Sequence, residues 1–323
     1  MNYGDLIKDA FRISWRNKFL WFFAFFLSGA ANSIVVPSTF GDLTPGAEDV
    51  AAGRPPAWVT NLGEFGENNA APLIAGVLLA VLVLLLVIAF FFVLSRAAIN
   101  ESIAAIDRGE QRRFGLAWRA GLARFWRVLG LLVFLLVVSL VVTLVVCALA
   151  ALLGVGVFFV TESVALRVLA VSLVVLLFLP LVVALSAFFL LLNQYALREA
   201  VVADRGVFAS IEEAFRLLRQ NVGRSLVLLL IQVAIAVTFG LIMLFATLAA
   251  GLLASGVVTA LTTAELGAVA LVVGIVLALL LSVPFVLVTC LAGAFHQAYW
   301  TLAYLRLTGH REDPGPAEAS AVA

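Results

Sequence analysis

Long runs of apolar residues, separated by short charged stretches, constrain this chain more than any other feature. Hydrophobic residues make up 64% of its 323 residues and charged residues 12%, against roughly 45–50% and 25% in a soluble domain. A soluble fold of this size could not cover so much apolar surface, because its own surface needs polar groups. A soluble enzyme, a disordered chain and a nucleic-acid-binding domain all fit poorly. The composition predicts an integral membrane protein.

The charge-free stretches are long enough for six membrane-spanning helices, since one crossing needs about 20 apolar residues. We place the spans at residues 19–37, 73–95, 128–153, 168–193, 225–250 and 268–293. The fifth stretch, between Arg224 and Glu265, has 40 residues. This helix is expected to tilt or to end among the lipid headgroups. The predicted fold is all-α and polytopic, with six transmembrane helices.

The basic residues are concentrated on one predicted side of the membrane. Eighteen of the 20 Lys and Arg residues lie in the N-terminal segment, the loops after the second and fourth spans, and the tail; only Arg54 and Arg167 lie elsewhere. The two sides carry net charges of +6 and −5, which together give the formal +1. Because cytoplasmic loops carry the excess of Lys and Arg, both termini are predicted to be cytoplasmic. Arg is strongly preferred over Lys, as in GC-rich bacteria, which favours a bacterial cytoplasmic (inner) membrane.

Three landmarks recur in the same order along the chain and indicate an internal repeat. The triplets that precede the odd-numbered spans are Ala10-Phe11-Arg12, Ala117-Trp118-Arg119 and Ala214-Phe215-Arg216. The glycines that follow the even-numbered spans, each expected to end a helix, are Gly109, Gly206 and Gly309. The predicted unit is an amphipathic helix followed by a helical hairpin.

The landmarks fix the predicted domain organisation. One membrane domain, 1–310, consists of three repeated hairpins, at about 1–109, 110–206 and 207–309. An outer loop, 38–72, is rich in Gly, Pro, Asn and acidic residues, and loops of that length without structure of their own are uncommon unless they have a role. Residues 311–323 are predicted to be a disordered cytoplasmic tail.

Each repeat begins with a cytoplasmic segment that is apolar on one helical face and basic on the other. In 208–222 the apolar residues recur at helical spacing, and Ser210 with Glu213 is expected to form a capping box. Segments 3–16 and 112–127 have the same pattern, and such helices can lie among lipid headgroups, where arginines attract anionic lipid. The candidate contacts to headgroups or to a partner are Arg12, Arg16, Arg119, Arg124, Arg127, Arg216, Arg219 and Arg224. The alternative is that these helices only set the topology and pack beneath the spans.

The spans contain few residues that could take part in catalysis, ion transport or metal binding. No ionisable residue lies at their mid-depth, where one would mark an ion path or a proton relay. Gln232 is the polar residue that costs most to bury, and a partner or a water-filled gap is expected beside it. Pro180 and Pro284 are expected to kink their helices, either for shape or to form a binding notch. His296 has no cluster of Cys, Asp or Glu at ligand spacing, so no metal site, cofactor or catalytic residue is predicted.

The remaining polar and aromatic residues of the spans have structural interpretations. The hydroxyl side chains are expected to join neighbouring helices; they belong to Ser139, Thr143, Ser172, Ser186, Thr238, Ser282 and Thr289. Tyr299, Trp300 and Tyr304 are predicted to form part of an aromatic belt at the membrane interface.

The segment from Arg198 to Gly206, followed by Ala214-Phe215-Arg216 and an apolar span, is similar to a recurring bacterial pattern. It resembles the six-span membrane domain associated with glycerophosphoryl diester phosphodiesterases and related stand-alone bacterial membrane proteins of unknown function. The resemblance covers most of the chain by architecture and residues 197–225 by sequence; Ala203 stands where such proteins often carry an acidic residue. It implies a membrane domain without phosphodiesterase activity, which in those enzymes belongs to a separate soluble barrel.

These observations leave three functions to weigh. The first is a non-enzymatic accessory or scaffold protein that binds lipid, chiefly anionic inner-leaflet lipid, or a protein partner or second copy through its cytoplasmic helices. The alternative is a transporter or permease subunit for an apolar or amphiphilic solute, with which the repeats, the prolines and Gln232 are compatible. A membrane-embedded enzyme is least favoured, because the chain shows no Ser/His/Asp or Cys/His set, no Gly-rich phosphate loop with a Lys and no metal motif.

Overall fold

The computed structural model describes residues 2–27, 57–160, 163–264 and 266–309, and every regular element in these ranges is a helix. The helices are α1 (Tyr3–Arg16), α2 (Phe19–Leu27), α3 (Ala57–Asp107), α4 (Phe114–Val160), α5 (Val164–Val201), α6 (Val207–Gln220), α7 (Val222–Thr263) and α8 (Gly267–Thr308). The all-α fold class is confirmed for the described residues. Five of these helices, α3, α4, α5, α7 and α8, are long and apolar enough to cross a membrane.

These five candidate spanning helices are much longer than one crossing requires. α4 has 47 residues, which corresponds to about 70 Å of helix, whereas the hydrocarbon core of a bilayer is about 30 Å thick. All but the last residue of the 40-residue stretch before Glu265 lies in one continuous helix, α7, which begins at Val222 and ends at Thr263. The predicted spans 73–95 to 268–293 all fall inside such helices. The first predicted span is described only over α2, and residues 28–37 lie outside the described residues.

The predicted outer loop 38–72 overlaps the start of α3, so its last part, from residue 57 onward, is helical. Two prolines, Pro55 and Pro56, immediately precede Ala57 in the sequence. Proline suits the start of a helix, because its fixed φ is helical and its missing N–H would have no partner there. Residues 38–56 and the predicted tail 311–323 lie outside the described residues.

The chain divides into two compact units. The first unit comprises Met1–Leu6, Asn100–Ile231 and Tyr299–Ala323, and the second comprises Ile7–Ile99 and Gln232–Ala298. In the first unit α4 packs against α5, and α6 packs against both of them.

The second unit joins most of α1, α2 and part of α3 through aromatic side chains. The indole N–H of Trp21 donates a hydrogen bond of 2.8 Å to the carbonyl of Ser14. The ring of Phe26 stacks on that of Phe91 with centroids 4.7 Å apart. Leu20 and Phe23 of α2 are fully buried, so this helix is anchored by one face.

Two of the three landmark glycines end a helix as predicted. Gly109 and Gly309 have φ of +85° and +70°, in the left-handed region that glycine enters without steric cost. The N–H groups of Gly109 and Glu110 donate to the carbonyls of Ile106 and Ala105, each at 3.0 Å, as in a Schellman cap. α3 and α8 therefore each terminate just before a glycine in the left-handed conformation.

The prediction is wrong for Gly206, which has φ −67° and stands at the N-cap of α6. α5 already ends at Val201, so the chain turns earlier, at Asp204, whose φ is +55°. Asp is one of the few residues other than glycine that tolerate this conformation, because its short polar side chain can hydrogen-bond locally.

The predicted capping box of α6 is also wrong. α6 begins at Val207, before Ser210, and the buried Ser210 hydroxyl donates to the carbonyl of Gly206 at 2.8 Å. Glu213 instead binds Arg205 and Arg216. Two nearby arginines compete better for its carboxylate than a single backbone N–H does.

Candidate functional site

A buried polar core lies in the first unit, where the ends of α3, α5 and α8 contribute side chains. Asn100, Arg198 and Thr301 are fully buried, and Glu199 is 3% exposed. Sequence reasoning did not identify this core. The available signal was the placement of charged and amide groups in the last turns of long apolar helices, because groups that costly to bury need partners.

Hydrogen bonds between helices organise the core. Thr301 donates to the Oδ1 atom of Asn100 at 2.8 Å, which joins α8 to α3. The hydroxyls of Tyr195 and Ser225 lie 2.9 Å apart and join α5 to α7. Tyr299 donates to the carbonyl of Leu228 at 2.9 Å. These bonds connect helix ends that are far apart in sequence, so they specify which helices are neighbours in the first unit.

The aromatic residues near the end of α8 belong to this core. Tyr299, Trp300 and Tyr304 are fully buried, and the rings of Trp300 and Tyr195 meet edge to face at 6.2 Å. Their prediction as an interfacial belt is therefore wrong. Aromatic residues with a polar group fit both a headgroup layer and a packed core that offers hydrogen bonds, and composition does not distinguish the two.

Ion pairs flank the core. Arg112 lies 2.6 Å from Glu101, with side chains 16% and 9% exposed. Arg205 lies 2.9 Å from Glu213 and 3.6 Å from Glu199. Burial raises the pKa of Glu213, but the hydrogen bonds from Arg216 and Arg205 outweigh it and hold that pKa below its ordinary value. The same bond to Glu213 raises the pKa of Arg205 against the effect of burial, so both groups are charged at neutral pH.

The three landmark triplets share a buried alanine and an exposed arginine. Ala10, Ala117 and Ala214 are all fully buried. The arginines that follow two residues later are exposed in each triplet; they are Arg12, Arg119 and Arg216. Phe11 and Phe215, next to the alanines, are about half exposed. Each segment therefore buries a small residue on one face and exposes an arginine and apolar rings on another.

The eight predicted headgroup contacts divide into two groups. Four of them pair with a carboxylate: Arg12 with Asp9, Arg216 with Glu213, and both Arg124 and Arg127 with Asp204. The other four are exposed and form no ion pair with any described carboxylate; they are Arg16, Arg119, Arg219 and Arg224. The predicted set is therefore not one uniform basic surface.

Two of the three segments end at an asparagine that sequence reasoning did not identify. The side-chain amide of Asn17 donates to the carbonyl of Ile13 at 2.9 Å, and that of Asn221 donates to the carbonyl of Leu217 at 3.3 Å. Both asparagines lie seven residues after the landmark alanine and separate two helices, α1 from α2 and α6 from α7. The corresponding residue of the predicted second repeat is Arg124, and α4 runs through it without a break.

The polar and proline positions singled out in the spans lie on three helices, α5, α7 and α8. The side-chain oxygen of Gln232 is buried and accepts no hydrogen bond from any described residue, so the expected protein partner is absent there. Pro180 and Pro284 lie inside α5 and α8, which continue on both sides of them. His296 is half-buried in α8, and the described residues contain no group of three His, Cys, Asp or Glu side chains that could hold a metal ion.

The hydroxyl side chains of the spans bond within their own helices. Ser186 donates to the carbonyl of Val182 at 2.8 Å, and Thr289 donates to that of Phe285 at 2.7 Å. Ser139, Thr238 and Ser282 make the same kind of bond to a carbonyl three or four residues earlier. The prediction that these hydroxyls join neighbouring helices is wrong for these five, because the nearest acceptor in an apolar environment is the helix backbone itself.

The model of one protein family matches residues 15–313, which is most of the chain; it is described as a family of unknown function (DUF7544). No curated protein and no solved structure matches the chain.

Proposed function

Because the chain belongs to DUF7544, a family of unknown function, we propose its function from its own geometry. It is a multi-pass protein of the bacterial cytoplasmic membrane, with six spans in three repeats, both termini cytoplasmic and no catalytic machinery. Its role is that of an accessory or scaffold protein that binds anionic lipid through α1, the start of α4 and α6. The resemblance to the phosphodiesterase-associated membrane domain stays a prediction, because the family match carries no function.

One observation carries this proposal: each amphipathic segment has a buried alanine on one face and exposed arginine and aromatic side chains on another. Phe208, Phe215 and Trp126 are between 48% and 78% exposed, although aromatic rings favour burial. Exposed rings beside arginines suit the boundary between headgroups and acyl chains, where the ring enters the apolar layer and the guanidinium meets phosphate.

The test measures lipid binding by the purified full chain in detergent, by native mass spectrometry with phosphatidylglycerol and with zwitterionic phosphatidylcholine. We expect preferential retention of phosphatidylglycerol. Arg216→Glu combined with Arg219→Glu should weaken it about tenfold or more, since each arginine near an anionic surface contributes about 1 kcal/mol.

The matched control reverses the same number of charges at Arg54 and Arg167, the two basic residues on the predicted outer side. This variant should retain more phosphatidylglycerol than the α6 variant does. Equal binding of the two lipids by the unaltered protein, or equal losses in the two variants, would contradict the proposal.

A second candidate function, a transporter or permease subunit for an apolar or amphiphilic solute, is favoured by Gln232. A buried amide oxygen without a described donor is costly within a membrane, and a solute or water could supply the missing hydrogen bond. In proteoliposomes, transfer of a fluorescent amphiphile should then depend on the protein and should fall in Gln232→Leu. Transfer that is independent of the protein would remove this candidate.

A further inference from the structure

Arg124 and Arg127 of α4 converge on the carboxylate of Asp204, in the turn between α5 and α6. The Nη1 atom of Arg127 lies 2.5 Å from Oδ1 of Asp204, and the Nε atom of Arg124 lies 3.5 Å from the same oxygen. The side chain of Arg124 is 25% exposed and that of Arg127 is 33% exposed, whereas that of Asp204 is 64% exposed. The carboxylate therefore covers two partly sheltered cations from the solvent side.

This arrangement leaves hydrogen-bonding capacity unused. One oxygen of Asp204 serves both arginines, and the Nε atom of Arg124 is buried and donates no hydrogen bond to any described acceptor. A phosphodiester has two non-bridging oxygens that share one negative charge, so it could accept from both guanidinium groups at once. Charge-assisted bonds of that kind are among the stronger hydrogen bonds in proteins.

We infer that Arg124 and Arg127 form a binding site for the phosphate oxyanion of an anionic lipid headgroup, and that Asp204 occupies this site as an internal competitor. The inference rests on the proposed lipid-binding function, and it names the ligand group that two of the basic residues would bind. It concerns two arginines that share one carboxylate from outside their own helix. In the other two predicted repeats, Arg12 and Arg216 each pair with a carboxylate three residues earlier in the same helix, and Arg16, Arg219 and Arg224 pair with no described carboxylate.

The backbone of Asp204 is compatible with such a replacement. Its φ of +55° is a conformation that residues other than glycine, asparagine and aspartate adopt at a cost of roughly 1–2 kcal/mol. The ion pairs with Arg124 and Arg127 help to hold the turn in place. Asp204→Asn and Asp204→Gly both suit this φ, so either one removes the competing charge without forcing a new backbone conformation.

The experiment compares the purified full chain with Asp204→Asn and Asp204→Gly, using phosphatidylglycerol in one arm and inorganic phosphate in the other. Both variants should bind phosphatidylglycerol about two- to fivefold more tightly, the range expected when one exposed carboxylate stops competing for the two arginines. Arg124→Gln with Arg127→Gln, introduced into Asp204→Asn, should abolish the gain. Glu212→Gln is the matched control, because it removes one exposed carboxylate of α6 and should give no comparable gain.

No gain in both Asp204 variants, with unfolding temperatures near that of the unaltered protein, would overturn the inference. A gain for inorganic phosphate equal to that for lipid would overturn the assignment to a headgroup. The proposed function is tested separately, by the variant that carries Arg216→Glu and Arg219→Glu. If those two arginines matter and Asp204 does not, the function stands and this inference fails.

Discussion

The end of α5 and its middle have opposite environments. From Tyr195 to Val201 every side chain is buried, Arg198 and Glu199 included. Leu173, Leu176 and Leu177, in the middle of the helix, are each about two-thirds exposed. Apolar side chains gain little by leaving lipid for one another, whereas buried polar groups need partners. In this molecule the specific contacts between helices therefore concentrate where the polar residues are.

The largest effect should come from removing an aromatic ring from the polar core. Trp300→Ala should lower the free energy of unfolding by about 3–5 kcal/mol, because it leaves a cavity in a fully buried site. Trp126→Ala is the matched control, since Trp126 is 78% exposed, and its effect should be small. Leu177→Ala, in the exposed middle of α5, should also have little effect. Unfolding of the purified protein in detergent measures all three, and equal losses would break the comparison.

The next test concerns one hydrogen bond of the core. Tyr195→Phe removes the hydroxyl that pairs with Ser225 and leaves a buried oxygen without its partner, at a cost of about 1–3 kcal/mol. The double variant with Ser225→Ala should lose less than the sum of the two single losses, because neither partner is then left alone. A double-mutant cycle of unfolding free energies gives this coupling. A coupling of zero would show that the bond does not specify the core.

Glycines at helix ends and in helix middles should respond in opposite directions. Gly109→Ala forces alanine into φ +85° and should destabilise the protein by roughly 1–2 kcal/mol. Gly240 lies within α7, where an added Cβ atom would meet no neighbouring side chain within 4 Å. Gly240→Ala should therefore be neutral or stabilising, since alanine has the higher helix propensity. Thermal unfolding of the two variants checks the sign, and a loss at both positions would contradict the contrast.

The smallest effect concerns the charged edge of the core and depends on pH. The pKa of Glu213 is lowered by Arg216 and Arg205 in the folded protein, so its ion pairs stabilise the fold above the ordinary glutamate pKa and are lost as the pH falls through the lowered value. Glu213→Gln should unfold at a slightly lower temperature than the unaltered protein at neutral pH. The difference should vanish in acid. A difference that persists at low pH would mean that Glu213 acts through packing.

Hydropathy was sufficient to predict the helical fold class and the position of five helices that are long and apolar enough to cross a membrane. It did not predict where those helices end, because a helix can continue past the bilayer at no cost if its backbone bonds are satisfied. α3 begins at Ala57, inside a segment whose Gly, Pro and Asn content indicated a loop. The first predicted span, 19–37, extends beyond the described residues, so the full count of six spans stays a prediction.

The polar core was missed because sequence patterns describe one helix at a time. Tyr299, Trp300 and Tyr304 look the same in a sequence whether lipid headgroups or other helices surround them. The same limit applies to the basic set, in which the carboxylate that pairs with Arg127, Asp204, is 77 residues away in the chain. The triplet pattern, by contrast, depends on local register, and its three alanines are buried alike; the repeat itself stays a prediction.

The unbroken course of α4 through Arg124 has a mechanical consequence. The helix is one rod of 47 residues, about 70 Å long, with the Asp204 contact near one end. A tilt of a few degrees imposed there displaces the opposite end by several ångströms, as in a lever. α6 is separated from α7 at Asn221, so a rotation of α6 can be absorbed at that joint. Of α4 and α6, only α4 is continuous enough to transmit such a movement along its length.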